Sequence, residues 1–557
     1  MRRKEALVLI VICVLYLVLW WFLPKPSFWG LDNGFKYQGA RAFAETGQIR
    51  VAYTGADFDP QGGYRPMVFP YGVMSGNAQI PVFSVLFMVL GGFLINLMGA
   101  VGPYLLPLIG GWGCLLAGWF MWVRLRPGLD GRMFLIMLGL GSPLLFYSLT
   151  LWEHSLSMVF VILSFVFLIQ TRELSDDEDP RTWEVTLAGF LIALATAFRT
   201  ESIVWVGIPI FFWRATDRSL LDIGRYLIGF LAGMGGLIVL NNWATDSLLP
   251  LHIMSNFKVN QVLNYKDLFT SRLFNLYIIS AQGFKDVYLS VLLLIPLVLT
   301  VFWRGWRLEK DWGYYLAAGV LVVWSIYFFT MKGVSNYASY TINTGGIFWV
   351  IPFSVLALMP IKSRKIERYW GLFWLSPLIY FVIVSAFAPT LRGVHWGPRF
   401  VIQAVPFMLL TASVRGQRWW NHYSITKPLI ILLVLISVMN QIYSYDILYK
   451  TRRANLELNE WAENTSLEPA LTSMWWLSGD VSLLSDRYPW YLTDTKGRIN
   501  FVVDALRDRG VKKFNFYERE PYITDDFWLS IGTEPIGEDY FLDGDGRTRR
   551  RWFKILR

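Results

Sequence analysis

Cysteine is scarce in this chain, and charge is missing from long stretches of it. The two cysteines of the 557 residues, Cys13 and Cys114, both lie in apolar runs, where a thiol usually packs as a small hydrophobic group. They provide neither a disulfide framework nor a metal-binding spacing. Charged residues make up 17% of the sequence and hydrophobic residues 54%. This balance excludes a soluble protein and is typical of a protein surrounded by membrane lipid.

The formal net charge of +10 does not indicate a nucleic-acid partner. Lys and Arg lie mainly in short clusters between apolar runs, which is the pattern that sets membrane topology. The first run, residues 6–23, follows the basic start Met1–Lys4 and closes on Trp20, Trp21 and Phe22. Because no small-residue cleavage site follows, the sequence predicts a retained signal anchor.

Together with the first run, the later apolar runs predict an α-helical polytopic membrane protein with thirteen transmembrane helices. The predicted spans are 6–23, 103–123, 132–150, 155–170, 183–198, 201–213, 226–243, 287–303, 314–330, 346–360, 369–387, 399–414 and 427–445. A further run, 79–98, is ambiguous, since it could also lie along the membrane surface or re-enter it. A break at 198–201 avoids burying Arg199 and Glu201 at mid-membrane, where ionisable groups are costly.

The distribution of basic residues decides the sidedness. With a cytoplasmic N-terminus and 79–98 not crossing, the predicted cytoplasmic segments carry 21 Lys and Arg residues, against four in the short outer loops. This is a strong positive-inside bias. If 79–98 crossed the membrane, every later basic cluster would face outward. The sequence therefore favours thirteen spans in a plasma membrane, by expectation the inner membrane of a bacterium.

Two domains are expected. Residues 1–445 form the membrane domain, with large outer segments at 24–78 and 244–286. Residues 446–557 have the composition of a small soluble α/β domain, with strands at Ala470–Met474 and Val511–Tyr517 and a helix at Asn500–Arg509 that is closed by Gly510. An odd number of spans places this domain in the periplasm or outside the cell.

The polar motifs fall on that same outer side. They are Trp29–Gly34 after the first span, Leu151–His154 at the end of the third, Arg199 and Glu201 at the tip of a hairpin, and Leu391–Phe400 between the eleventh and twelfth spans.

With these motifs the chain resembles the GT-C superfamily of membrane glycosyltransferases, especially family 39-like enzymes such as protein O-mannosyltransferases and lipid A aminoarabinose transferases. An Asp after the first span, an acidic residue at the outer end of the third, an Arg-tipped hairpin and a late Pro-Arg-Phe segment carry the resemblance. It implies a polyprenyl-phosphate sugar donor. Where the family has an acidic pair, this chain has Asp32 followed by Asn33, so a divalent metal as a phosphate clamp stays open.

The resemblance implies that Asp32 is the catalytic base. The chemistry agrees, because a carboxylate can take the proton from an acceptor hydroxyl as it attacks the anomeric carbon. The alternative is that Asp32, with Asn33 and Gly34, caps a surface helix or turn. Glu153 and His154, with Glu201, are candidates for supporting Asp32 or orienting the acceptor; the alternative is a water-exposed interfacial belt.

Arginines suit the donor phosphate, because a guanidinium makes bidentate, charge-assisted hydrogen bonds with phosphate oxygens. Arg399 is the strongest candidate, since Gly397-Pro398 before it presets its direction. Arg392 and Arg199 are further candidates. The alternatives are snorkelling to the headgroups and, for Arg199, a local pair with Glu201.

Three weaker site candidates complete the prediction. His395, beside Trp396, is placed to contact phosphate or a sugar ring. Asp57 and Asp59 are candidates for acceptor binding, although turn residues between Gly55 and Pro60 explain them more simply.

The sequence thus predicts a glycosyltransferase that moves a sugar from a polyprenyl phosphate to a hydroxyl of a glycan, lipid or protein acceptor. The competing functions are a lipid or solute transporter such as a flippase, a non-catalytic assembly scaffold, and a polysaccharide ligase or polymerase that uses diphosphate-linked glycans. Transporters commonly carry ionisable groups near mid-membrane, whereas here the charges lie at the outer ends of the spans.

Overall fold

A computed structural model describes most of the chain. The described residues are 3–125, 128–170, 182–213, 220–255, 346–358, 373, 375–387, 396–397, 399–422, 426–464, 468–484, 488–519, 523–543 and 546–556. The predicted spans 287–303 and 314–330 lie outside them, as do the candidates Arg392 and His395.

Helices dominate the described residues. In chain order they are α1 (Arg3–Phe22), α2 (Leu31–Thr46), α3 (Val85–Met98), α4 (Leu105–Leu125), α5 (Arg132–Gly139), α6 (Leu144–Leu149), α7 (His154–Gln170), α8 (Thr182–Phe198), α9 (Val204–Trp213), α10 (Leu220–Thr245), α11 (Ile347–Val350), α12 (Ser376–Phe387), α13 (Val405–His422), α14 (Lys427–Glu463), α15 (Leu477–Asp480), α16 (Lys496–Asp508) and α17 (Asp525–Ser530). Short 3-10 helices cover Gly99–Tyr104, Thr200–Ile203, Pro352–Leu358, Arg399–Ala404 and Ser482–Leu484.

Four stretches of the described residues are long and apolar enough to cross a membrane: Arg3–Phe22, Val85–Leu125, Leu220–Thr245 and Lys427–Glu463. Shorter apolar helices lie at His154–Ile169, Trp183–Phe198, Thr200–Phe211 and Ser376–Phe387. These helices support the prediction of a helical polytopic membrane protein. The count of thirteen spans stays a prediction.

The ambiguous run at 79–98 is not one continuous helix. Its start belongs to a strand, Ala78–Pro81, and its remainder is α3, which ends at Gly99 with φ +69°. Only glycine adopts that conformation readily. A helix of 14 residues is about 21 Å long, shorter than the ~30 Å hydrocarbon core. This length favours the interpretation in which 79–98 lies along or re-enters the membrane.

The predicted break near residue 199 is present. Helix α8 ends at Phe198, Arg199 has extended backbone angles, and a 3-10 helix begins at Thr200 and leads into α9. The side chains of Arg199 and Glu201 are therefore held at a helix junction and not in the middle of one long helix.

The chain divides into two compact units. The first contains Met1–Phe22, Leu106–Val239 and Asn256–Ile447, and it holds most of the apolar helices. The second contains Leu23–Leu105, Leu240–Ser255 and Leu448–Arg557. The C-terminal segment thus belongs to a unit that also includes the first outer segment, which the sequence had assigned to the membrane domain. Helix α14 runs through the predicted boundary at 445 without a break.

Two sheets lie in the second unit. An antiparallel sheet joins β1 (Val51–Ala52), β2 (Gly72–Ser75) and β3 (Ala78–Pro81) in the order β1-β3-β2. A mixed sheet joins β4 (Ala470–Thr472), β5 (Trp490–Leu492), β6 (Lys513–Glu518), β7 (Thr533–Asp543) and β8 (Gly546–Ile555) in the order β5-β4-β6-β8-β7. The first three strands of that order run parallel and the last two antiparallel. The predicted α/β character of residues 446–557 is confirmed in part. The two expected strands are present but cover Ala470–Thr472 and Lys513–Glu518 instead of Ala470–Met474 and Val511–Tyr517, and Gly510 follows α16 with φ +74°.

The first outer segment packs on the edge of the mixed sheet. The backbone N–H of Leu492, in edge strand β5, donates to the carbonyl of Tyr64 at 2.8 Å. The ring of Tyr64 stacks on Phe501 of α16 with centroids 5.1 Å apart. This pairing covers a strand edge that would otherwise present unpaired backbone groups, and it fixes residues 53–65 against the C-terminal segment.

Candidate active site

Glu153 and His154 lie at the N-terminus of helix α7 in the first unit, where Glu153 directly precedes the helix. Both are buried, with exposed fractions of 2% and 1%. The carbonyl of Glu153 accepts the first helical hydrogen bond, from Ser157 N at 3.0 Å, so its carboxylate lies at the positive end of the helix dipole. The alternative of a water-exposed Trp-Glu-His belt is wrong, because these side chains are not exposed.

Arg199 joins two carboxylates at the junction before the Thr200–Ile203 helix. Its Nη1 donates to Glu153 Oε1 at 3.0 Å and its Nε to Glu201 Oε1 at 2.7 Å. Burial lowers the pKa of the guanidinium, but the carboxylates of Glu201 and Glu153 outweigh this effect and raise the pKa above its usual value. The structure therefore favours the ion-pair interpretation of Arg199 over direct phosphate binding.

Arg399 lies beside this ion-pair cluster, at the start of the Arg399–Ala404 helix. Its guanidinium carbon is 4.8 Å from the ring centroid of Phe400 and 5.9 Å from that of Trp152. Arg199 approaches the same Phe400 ring, at 5.7 Å. Arg199, Glu153 and Arg399, which the sequence places on the same side of the membrane, thus lie close together within this unit.

Gly397 fixes the backbone that leads to Arg399. Its φ of +64° is in the left-handed region, and a Cβ at this position would lie 3.0 Å from Val350 Cγ2. The carbonyl of Gly397 accepts from the backbone N–H of Arg399 at 3.0 Å. The side chain of Arg399 is therefore aimed by a tight turn that glycine alone adopts without strain.

Aromatic rings surround this group of charges. Trp152 and His154 belong to the polar motif Leu151–His154, whereas Tyr147 is a residue that the sequence does not indicate. Tyr147 stacks on Trp152 with centroids 5.5 Å apart, and its ring lies 4.7 Å from that of His154. The Tyr147 hydroxyl donates to the carbonyl of Trp396 at 3.0 Å. Together these rings exclude water from the site, which strengthens every charge interaction in it.

A second polar layer, centred on Gln403, was also missed. The Gln403 carboxamide oxygen accepts from Trp205 Nε1 at 2.9 Å and from the Tyr380 hydroxyl at 3.1 Å. Its amide nitrogen donates to Ser157 Oγ at 2.8 Å and to Ser202 Oγ at 2.6 Å. The only signal in the sequence was one glutamine in the apolar run 399–414.

Asp32 lies in the second unit, in the first turn of α2. The N-cap position belongs to Gly30, and Asn33 makes the local side-chain bond by accepting from Trp29 N at 3.2 Å. Asn33 is fully buried whereas Asp32 is partly exposed. Asn33 therefore supplies this local bond, and both the catalytic role of Asp32 and the capping alternative stay predictions.

Lys36 is a buried neighbour of Asp32 that is not among the site residues predicted from the sequence. It follows Asp32 by four residues on α2, so both side chains lie on the same helix face. Only 2% of Lys36 is exposed, and its ammonium lies 4.9 Å from the ring centroid of Phe83 and 6.0 Å from that of Phe87.

Asp57 and Asp59 have local structural contacts. Asp59 accepts from the Tyr53 hydroxyl at 2.7 Å and from the backbone N–H groups of Gly63 and Tyr64 at 2.8 Å each. Burial, followed by the hydrogen bond to Asp59, raises the pKa of Tyr53. Asp57 is exposed and forms an ion pair with Arg509. This arrangement favours the turn interpretation of both residues over acceptor binding.

Within the described part of the chain, no group of three or more His, Cys, Asp and Glu side chains is arranged to hold a metal ion.

The chain is similar to two kinds of solved structure. ArnT from Cupriavidus metallidurans, bound to undecaprenyl phosphate, shares 12% identity and a TM-score of 0.46, and the match covers 97% of each chain. The apo oligosaccharyltransferase from Archaeoglobus fulgidus shares 11% identity and a TM-score of 0.48, over 92% of this chain and 70% of that one. A second structure, of the oligosaccharyltransferase AglB from Archaeoglobus fulgidus in complex with an inhibitory peptide and a dolichol-phosphate, has a TM-score of 0.47. No protein-family model and no curated protein sequence matches the chain.

At identities of 11–12% and TM-scores below 0.5, the likeness assigns neither an activity nor a ligand to this chain. Its activity has to be inferred from its own residues.

Proposed function

We propose that this protein is a membrane glycosyltransferase that moves a sugar from a polyprenyl phosphate to an acceptor hydroxyl at the outer face of the membrane. The observation that carries the proposal is Asp32. It is a partly exposed carboxylate in the first turn of α2, directly after the first membrane helix, and so can exchange a proton with a bound acceptor. A carboxylate at the membrane edge is costly unless it is used, which favours a chemical role for Asp32.

In the proposed reaction the acceptor oxygen attacks the anomeric carbon of the donor sugar. The bond between that carbon and the phosphate oxygen breaks, and the polyprenyl phosphate leaves with the electron pair. Asp32 takes the proton of the acceptor hydroxyl, so the base is protonated as the glycosidic bond forms. Attack opposite the leaving group inverts the configuration at the anomeric carbon.

Arg399 is the proposed partner of the leaving phosphate. Its guanidinium lies between aromatic rings, where a low dielectric strengthens its attraction to an anion. Arg199 has a different task, because Glu153 and Glu201 both pair with it. It holds the surrounding helix ends together and so supports the position of Arg399.

The test is transfer of labelled sugar from polyprenyl phosphate by the purified protein in lipid nanodiscs. Arg399→Gln should lower kcat/KM by about 100-fold or more, as expected for the loss of one preorganised donor to a developing charge. Arg415→Gln is the matched control, since Arg415 is also largely buried and contacts a tryptophan ring, that of Trp419. It should retain transfer.

The competing functions give different results in the same assay. A ligase or polymerase would use the diphosphate-linked glycan and ignore the monophosphate donor. A flippase would move labelled lipid between leaflets without forming a glycosidic bond, and a scaffold would do neither. Full transfer by Arg399→Gln would contradict the assigned role of this arginine.

A further inference from the structure

Gln403 is a buried residue of the first unit that lies next to the group formed by Glu153, Arg199 and Arg399. Its four side-chain partners come from separate parts of the unit: Ser157 from α7, Ser202 from the Thr200–Ile203 helix, Trp205 from α9 and Tyr380 from α12. All four are buried, and Gln403 itself is 2% exposed. One carboxamide thus joins four elements in the interior.

Each part of this network is tied to one of the site residues. The backbone N–H of Ser157 donates to the carbonyl of Glu153, and that of Ser202 to the carbonyl of Arg199, both at 3.0 Å. Gln403 shares a short helix with Arg399, and the Tyr380 hydroxyl also donates to the carbonyl of Phe400 at 3.1 Å. Movement of Gln403 would therefore be passed to all three charged residues.

The chemistry of the partners requires an amide at this position. The indole N–H of Trp205 can only donate, so it needs the carboxamide oxygen, while the two serine oxygens receive the amide hydrogens. Ser157 donates in turn to the carbonyl of Ala195 at 3.0 Å. An apolar side chain at position 403 could not make these hydrogen bonds. The buried partner groups would lose a bond, and a buried polar group that loses its partner costs free energy. A carboxylate would bring an unneeded buried charge.

We propose that Gln403 is a positioning residue, which holds Arg399 in the orientation needed to receive the donor phosphate and holds the Arg199–Glu153 pair that supports Arg399. This inference rests on the proposed function only in naming phosphate as the ligand of Arg399. The positioning itself follows from the hydrogen bonds of the network.

The test compares Gln403→Met with Asn440→Leu. Methionine is close to glutamine in length but cannot replace its hydrogen bonds. Asn440 is also a fully buried amide of this unit, and it donates to the carbonyls of Trp349 and Val350 at 3.1 Å each. Dissociation constants for polyprenyl phosphate without sugar are measured in nanodiscs, at temperatures where each variant is folded. Gln403→Met should weaken binding about tenfold, because small displacements of a binding group are costly. Asn440→Leu should bind like the wild type.

A second readout does not depend on sugar transfer. The rate at which an arginine-specific dicarbonyl reagent modifies Arg399, measured by peptide mass spectrometry, should rise in Gln403→Met and stay at the wild-type value in Asn440→Leu. If Gln403→Met does not fold, Ser202→Ala removes two bonds of the network, those of Ser202 with Gln403 and with Ser157, and leaves the bonds of Trp205 and Tyr380 in place. It should give the same changes at smaller size.

The outcomes separate the two proposals. Wild-type protein that neither transfers sugar nor binds the lipid phosphate defeats the proposed function, and the modification rates then decide the positioning role alone. Folded Gln403→Met with unchanged binding and an unchanged Arg399 modification rate overturns the positioning role, whatever the transfer assay shows.

Discussion

Arg199 is the residue that neutralises the carboxylates of Glu153 and Glu201. Its guanidinium satisfies Glu153 and Glu201 together, and both the Arg199 and Glu153 side chains are more than nine-tenths buried. Removing such charged groups from water costs free energy, and that cost is offset only when the pairing is complete. Loss of one member would leave a charge inside the protein without compensation.

Replacing Arg199 with Met should therefore lower the free energy of unfolding by about 3–5 kcal/mol, the usual cost of breaking a buried pair from one side. The measurement is denaturant or thermal unfolding in detergent, followed by tryptophan fluorescence. Arg132→Met is the control, because the Arg132–Asp130 pair is exposed and its loss should barely move the transition. Equal shifts in the two variants would contradict the buried-pair account.

Lys25, in the loop after α1, should titrate unusually early. Burial and the positive charge of Arg452 lower the pKa of its amine to about 8, because both disfavour the charged form. Acylation of Lys25 by an amine reagent, followed by mass spectrometry, should therefore have its midpoint near pH 8. Arg452→Gln removes the like charge and should move that midpoint upward. A midpoint above pH 10 in the wild type would refute the proposed environment of Lys25.

At the residue scale the sequence singled out Glu153, Arg199 and Glu201 and offered a local Arg199–Glu201 pair, but it did not predict the pair of Arg199 with Glu153. Glu153 and Arg199 could be selected because ionisable groups at the ends of spans are costly unless used. Their pairing could not be read from the chain, because 46 residues separate them and only the packing of helices decides it. Tyr147 and Gln403 gave no signal, since an aromatic ring or a single amide in an apolar run most often packs as an ordinary core residue.

Among the elements, α2 is held by a close approach of two glycines in the second unit. A Cβ on Gly34 would lie 1.8 Å from the carbonyl oxygen of Gly479, and a Cβ on Gly479 would lie 2.6 Å from Leu31 Cβ. Neither position has room for a methyl group. The helix that carries Asp32 is thus fixed against α15 of the C-terminal segment.

Gly34→Ala should therefore destabilise the second unit by several kcal/mol, because the added methyl group meets backbone that cannot move aside. Gly497→Ala is the matched control. Gly497 lies within α16 of the same unit and has open space around it, so alanine should stabilise its helix by about 0.5–1 kcal/mol. Hydrogen exchange of residues 31–46 and 477–484 measures the first effect, and that of α16, Lys496–Asp508, measures the second. Unchanged protection in Gly34→Ala would contradict the packing account.

The element scale was the one most open to prediction from sequence. Apolar runs, the break at Arg199 and the strands at 470–472 and 513–518 follow from hydrophobic patterning and local turn chemistry. The grouping of residues 23–105 with the C-terminal segment could not be predicted from the sequence. It depends on contacts such as that of Gly34 with Gly479, which join residues far apart in the chain.

For the whole molecule, the central expectation is the sidedness derived from the basic residues. It places the C-terminal α/β segment outside and the 124–132 loop in the cytoplasm. Single cysteines test this in a chain from which Cys13 and Cys114 have been removed. Asp526→Cys, at an exposed position of the C-terminal segment, should react with a membrane-impermeant maleimide in intact cells. Arg132→Cys, also exposed, should react only after permeabilisation. The reverse pattern would overturn the topology and with it the outer-face chemistry.

The most direct test of the proposed chemistry is the rate of sugar transfer by Asp32→Asn compared with wild type. Asparagine keeps the size of the side chain but cannot accept the proton, so transfer should fall by at least about 100-fold, as expected for the loss of a general base. Asp57→Asn, an exposed aspartate of the same outer segment that pairs with Arg509, should transfer at the wild-type rate. Folded Asp32→Asn protein with undiminished transfer would contradict the account.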